Sequence, residues 1–235
     1  MKFLAALLAI VSVQGADLVV AAASDLAPFT SAIQKGFGNV RFTLGSSGSL
    51  AQQIENGAPF DVYLSANDMY VKQLAGSGQI EASTVVIYAY GKIALWSKTA
   101  PVRSLEDLKK PEVKHVAIAN PEHAPYGVAA KAALVKSGLW GAIQSKIVYG
   151  ENVRQAMQFA ESGNADAVIT SWTLLMGRGI LIPANLYPPI RQAGGVVKSS
   201  ANQTAARAFL KFLTGPAGRK ILEGGGLFPP DTPLK

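Results

Sequence analysis

Four short stretches of this chain bring small hydrogen-bond donors to the ends of apolar runs. They are "ASDL" (Ala23 to Leu26), "GSSGSL" (Gly45 to Leu50), "HAPYG" (His123 to Gly127) and "GENV" (Gly150 to Val153). At each, a strand-like run stops and a helix-like pattern begins. A helix start offers free N–H groups and a partial positive charge, which together hold anions. Serine hydroxyls add donors, and glycine lets the backbone approach closely. Four such starts facing one cleft would make an anion site without Lys or Arg. At the first of them Ser24 is expected to cap a helix, and a hydroxyl there can also serve a ligand. Asp25 either complements the dipole of that helix or accepts a proton from a protonated oxyanion.

Other chemistries fit poorly. The 235-residue chain has no cysteine, which excludes disulfides, thiolate catalysis, Fe–S clusters and cysteine-bound zinc. No lipid-anchor cysteine is expected either. The two histidines, His115 and His123, have neither the spacing nor the company of a metal site. "GSSGS" is followed by no Gly-Lys-Ser/Thr, so it is not a phosphate loop of that kind. Gly48 falls one place too early for G-x-S-x-G. A secreted serine hydrolase using Ser24 or Ser47 with His123 stands as the alternative from another class. The simpler expectation for His123, beside Glu122 and a proline turn, is that it shapes that turn. The net charge is +7, but the basic residues are scattered. The densest cluster, "LKKPEVK" (Leu108 to Lys114), has no interleaved aromatics and reads as a solvated loop. No nucleic-acid partner is expected; a positive field favours small anions.

The elements that must position these junctions alternate along the chain. Lys2, the mostly apolar run Phe3 to Val13 and the small residues after it read as a secretory signal peptide, residues 1–15, cut after Gly15. Strands are expected at Leu18 to Ala22, Val40 to Leu44, Phe60 to Leu64, Val116 to Ile118, Lys146 to Gly150 and Asp166 to Thr170. Helices are expected between them, one from about Val128 to Lys136 and one capped by Asn152 and stopped by Gly163. This rhythm predicts an α/β fold with largely parallel sheets. Two longer β runs, "YAYGKIALWS" (Tyr88 to Ser97) and "NLYPPIRQAGGVV" (Asn185 to Val197), would carry the chain between two sheets. The middle then forms a discontinuous second lobe: residues 16–88 with 192–235 make lobe 1, and 89–191 make lobe 2. No internal repeat is visible.

At these same residues the chain resembles the molybdate-binding periplasmic proteins of ABC transporters, over essentially its whole mature length. The resemblance rests on "VVAAASDL", on "GSSGSLAQQIENGAPFDVYLSAN" (Gly45 to Asn67), on "IANPEHAPYGVAAKAAL" (Ile118 to Leu134), on "GENVRQAM" and on "FLKFLTGPAGRKILEGGGL" (Phe209 to Leu227). It implies a type II periplasmic binding protein fold, with two mainly parallel sheets flanked by helices and hinged by crossing strands. It also implies capture of molybdate or tungstate, delivery to an ABC permease in the inner membrane, a monomer, and no cofactor, catalysis or direct protein–metal bond. Carried across by position, the ligand set is Ser24, Ser47, the backbone N–H groups of Tyr126 and Val153, and Ser171. Many members place a tyrosine where Ser171 stands. That departure leaves open a looser pocket, a different oxyanion such as sulfate or phosphate, or a compensating role for Tyr126.

Overall fold

A computed structural model describes residues 17–99 and 101–231. The expected signal segment lies outside the described residues. In chain order the strands are β1 (Leu18–Ala23), β2 (Val40–Gly45), β3 (Val62–Ser65), β4 (Val86–Gly91), β5 (Ile93–Trp96), β6 (Val116–Ala119), β7 (Ile147–Gly150), β8 (Ala167–Ser171), β9 (Ile180–Leu181) and β10 (Ile190–Val196). The helices are α1 (Thr30–Phe37), α2 (Ser47–Glu55), α3 (Asp68–Gly76), α4 (Pro125–Lys136), α5 (Trp140–Ile143), α6 (Val153–Ser162), α7 (Trp172–Leu175), α8 (Gln203–Thr214) and α9 (Pro216–Gly224).

The strands form two five-stranded sheets, ordered β2-β1-β3-β10-β4 and β7-β6-β8-β5-β9. One sheet lies in each lobe of a two-lobed α/β fold. The two orders are the same pattern written twice. Three parallel strands come first, then a strand that has crossed from the other lobe, then an edge strand paired with it, of six residues in β4 and two in β9. β1 pairs in parallel with β2 and β3, and β6 with β7 and β8. β10 runs antiparallel to β3 and β4, and β5 to β8 and β9. Each sheet is therefore mixed rather than mainly parallel. Parallel order survives where a helix returns the chain; a strand arriving directly from the other lobe is not bound by that geometry.

The first crossing is abrupt. The run expected as one long strand breaks at Lys92, so β4 and β5 are one residue apart yet in different sheets. The second crossing runs from β9 into β10 through a short 3-10 turn, Ala184–Leu186. Local signals explain the helix ends near the cleft. Asn152 caps α6 by accepting from the N–H groups of Arg154 and Gln155, and Gly163 ends it in the left-handed region at φ 84°. Helix α4 opens at Pro125, three residues before the start expected from the alanine pattern. Proline at a first helical position gives up no needed N–H, and the earlier start puts Tyr126 in the first turn.

In lobe 1 the core is anchored by aromatics. Phe209 of α8 is fully buried, with its ring edge-on to Phe37 at 5.2 Å and near Phe42 at 6.3 Å. Among the described residues no helix is long and apolar enough to cross a membrane. Replacing Phe209 by alanine is expected to cost about 3–5 kcal/mol. For a chain of this size that lowers Tm by roughly 10 °C. Thermal unfolding followed by circular dichroism checks this, and an unchanged midpoint would contradict the packing described.

Candidate functional site

A small cavity of about 200 Å³ lies between the lobes. Every residue lining it lies at or beyond the carboxyl end of a parallel strand, where open α/β sheets place their ligands. Ala23 ends β1, with Ser24 and Asp25 after it; Gly45 ends β2, with Ser46 and Ser47 after it; Ala66 follows β3. From the other lobe, Ala124, Pro125 and Tyr126 come after β6, and Asn152 and Val153 after β7. No Lys, Arg or His is among them. A larger, open groove of about 1630 Å³ runs between Phe29, Trp172, Met176 and α9. It brings no comparable set of donors together, so the smaller cavity is the candidate site.

The donors are held from behind. Tyr63 donates its phenol proton to the Ser47 carbonyl at 2.6 Å, and the Ala66 N–H donates to Ser47 Oγ at 2.9 Å. Both contacts use Ser47 as an acceptor, so its hydroxyl proton is uncommitted among the described residues. Val153 is the first residue of α6 and Tyr126 the second of α4, so their N–H groups precede the first intrahelical bonds. Asn152 takes the next two N–H groups of α6, leaving that of Val153 for another acceptor. Ser24 differs from its expected role. It is the first residue of a 3-10 turn, Ser24–Phe29, and caps nothing; its hydroxyl donates to the Gly45 carbonyl at 3.1 Å.

The structure thus brings together Ser24, Ser47, Tyr126 and Val153, but not Ser171. Ser171 is fully buried and does not line the cavity. It caps α7 through the Thr173 N–H, shares a 2.7 Å hydrogen bond with the Thr173 hydroxyl, and lies beside the Tyr126 phenol. Its register opposite Ile93 at the crossing strand keeps it one layer behind.

Two further groups join the lobes. The first is buried. Tyr126 of α4 donates to Asp25 Oδ2 at 2.9 Å, and Gln192 Nε2 of β10 donates to the same oxygen and to Tyr126 Oη. Tyr88 of β4 donates to Gln192 Oε1 at 2.6 Å. Desolvation by burial pushes the Asp25 carboxyl up to about 6, against the opposing pull of the Gln192 and Tyr126 hydrogen bonds. Burial likewise raises the Tyr126 and Tyr88 phenols well above their usual range, and the Asp25 charge adds to it. Gly91 makes room for this contact: a Cβ there would stand 2.2 Å from Tyr126 Oη.

The second group closes the rim. His123 Nδ1 is 2.9 Å from Ser46 Oγ, Ser49 donates to Glu151 Oε1 at 3.0 Å, and the Gly48 N–H donates to the His123 carbonyl at 2.8 Å. His123 thus clasps the opposite lobe rather than shaping its own turn. It hydrogen-bonds to neither Ser24 nor Ser47. The glycine in "GSSGS" now has a reason, because a Cβ at Gly48 would meet the His123 carbonyl oxygen at 2.9 Å.

A cation-free cavity lined by helix starts and closed by two lobes defines a solute-binding protein of the two-lobed kind. The chain matches the family of bacterial extracellular solute-binding proteins over residues 18–228, and it belongs to that family. It is 37% identical over 229 residues to the molybdate-binding protein ModA of Azotobacter vinelandii, covering 91% of this chain and 90% of that one. It is 35% identical over 192 residues to ModA of Rhodobacter capsulatus, covering 80% and 76%. The structure of the Azotobacter vinelandii periplasmic molybdate-binding protein superposes with a TM-score of 0.86 at 31% identity, covering 92% of this chain and all of that one.

Removing the Tyr126 hydroxyl or its room should have one shared consequence. Tyr126→Phe and Gly91→Ala are each expected to destabilise the closed protein by about 1–3 kcal/mol, and the double variant by clearly less than their sum. Urea unfolding of the four proteins measures this; full additivity would show that Gly91 does not serve the Tyr126 contact.

Proposed function

We propose that this protein is an exported receptor that captures a tetrahedral oxyanion, molybdate or tungstate, between its lobes and delivers it to an ABC permease. The observation that carries this reading is the convergence of Ser24, Ser47 and the Tyr126 and Val153 N–H groups on one cavity without a cation. A fully deprotonated oxyanion has only acceptors and calls for donors. Neutral donors fixed by strands and helix starts hold it without a counter-charge, as a helix N-terminus does. The similarity to ModA proteins of two organisms supports the choice of anion. In this reading Ser24, Ser47, Tyr126 and Val153 contact the anion, the Ser24 hydroxyl turning to it from the Gly45 carbonyl, and Ser171 steadies Tyr126 from behind. Lobe 1 comprises residues 16–88 with 192–235 and lobe 2 residues 89–191, the division falling within a few residues of where β4 ends and β10 begins. The receptor works as a monomer outside the cytoplasmic membrane, with no cofactor and no catalytic step.

Titration calorimetry with molybdate, tungstate, sulfate and phosphate is the test. Tight binding of the first two and weak binding of the others is expected, and no binding of molybdate or tungstate sinks the reading. Ser47→Ala removes a donor to a charged group, worth about 1.5–3 kcal/mol, so affinity should fall roughly tenfold to a hundredfold. Ser171→Ala should change affinity several-fold less than Ser47→Ala; an equal loss would place Ser171 on the anion after all.

A further inference from the structure

Asp25 is an odd neighbour for an anion. It lines the donor cavity, it is fully buried, and its Oδ1 has no hydrogen-bond partner. The ionisable groups around it offer no compensating charge. Tyr126 faces it from α4 and Tyr88 stands behind Gln192 from β4; both are neutral phenols. Lobe 2 also supplies the Thr173 hydroxyl, which donates to the Asp25 carbonyl oxygen at 2.7 Å. Packed against the same turn, α6 brings Val153 and β2 brings Gly45 to the cavity; the charged residues of these elements, Arg154 and Glu161 of α6, Arg41 of β2 and Lys35 of α1, are all exposed. No Lys, Arg or His among the described residues pairs with Asp25. A bare carboxylate beside an oxyanion in this enclosure would be two uncompensated charges, an arrangement that burial strongly disfavours.

The direction of the hydrogen bonds settles which oxygen carries a proton. The Tyr88 hydroxyl donates to Gln192 Oε1, so the Gln192 amide group turns its Nε2 toward Asp25. Oδ2 then accepts from both Gln192 and Tyr126. Oδ1 alone is left to bear hydrogen. We propose that the closed complex holds one proton between Asp25 Oδ1 and the bound oxyanion, so that capture of a fully deprotonated dianion takes up a proton from solution. The Oδ1–H donates to an anion oxygen and becomes one more neutral donor in the site. An anion that arrives already protonated would satisfy Oδ1 from its own hydroxyl, with no uptake. This inference rests on the oxyanion reading above. The upward shift of the Asp25 carboxyl toward about 6 agrees in sign. Closure favours its protonated form; the charge of a bound anion beside Oδ1 raises the carboxyl further in the complex, so uptake persists above that value and is lost only as pH rises through the complex's higher one.

The test is calorimetry of the full protein with molybdate, at pH 7 to 9, in buffers of different ionisation enthalpy. Uptake approaching one proton per anion is expected, with affinity falling about tenfold per pH unit. Asp25→Asn presents an amide donor without a titrating proton; it should bind with no uptake and with affinity flat across the range. Binding by the unmodified protein with no uptake and no pH dependence would overturn the proposal while leaving the oxyanion reading intact. Uptake that persists in Asp25→Asn would move the proton elsewhere and equally overturn it. Absence of binding to any of the four oxyanions would remove both readings together.

Discussion

The closed arrangement depends on one buried contact, the Asp25 carboxylate of lobe 1 gripped by Tyr126 of lobe 2 and Gln192 of the returning strand. A carboxyl group taken wholly out of water is costly unless its partners are in place. Gln192 reaches it within lobe 1, whereas Tyr126 comes from the other lobe and completes the contact only where the lobes meet. Several otherwise unexplained residues serve this contact. Gly91 leaves space for the phenol, Tyr88 orients the Gln192 amide, and Gln192 is the buried polar residue on a strand whose neighbouring Arg191 reaches solvent. The rim clasp of His123, Ser46, Ser49 and Glu151 is more exposed and individually weaker. It closes the mouth; the Asp25 contact fixes the register of the lobes beneath it.

The repeated strand order explains why a site forms there at all. In each lobe the three parallel strands point their carboxyl ends at the cleft, and the helices that follow present their N-termini to it. The sheet order is shared by the lobes, although no repeat is visible in the sequence. The topology is the same while the crossing strand differs: β10 arrives late in the chain for lobe 1, and β5 arrives early for lobe 2. That exchange leaves two covalent connections between the lobes, adequate for a hinge and too few for a rigid block.

The local parts of this design were legible in the sequence. Alternation and caps located the strands after which the cavity lies, and the donors Ser47 and Val153 sit at junctions expected from Gly, Ser and Asn signals. Contacts between lobes were not legible, because their partners are 66 to 148 residues apart and leave no spacing to read. His123 therefore looked like a turn residue and Ser24 like a cap. Tyr126 illustrates the difference most plainly. Alanine periodicity put it before the helix, whereas Pro125 starts the helix early and gives its backbone and its side chain separate tasks. Gln192 was the one signal overlooked: a long polar side chain within a buried, glycine-rich strand demands a partner.

Neutral donors suit a receptor that must also let go. A lysine or arginine against a dianion in a dry cavity would add a strong attraction to every conformation that retains contact. Fixed amides and hydroxyls act differently, because they converge only when both lobes are in place. In the proposed site, opening would separate the Tyr126 and Val153 amides from Ser24 and Ser47, so the anion would lose about half its donors at once. Ligand affinity and lobe closure are then a single equilibrium, biased by whatever differs between the open and closed forms. In this molecule the largest such difference, apart from the anion itself, is the state of the Asp25 carboxyl. On the proposed proton link, burying that carboxyl on closure would make closure respond to proton availability as well as to the anion.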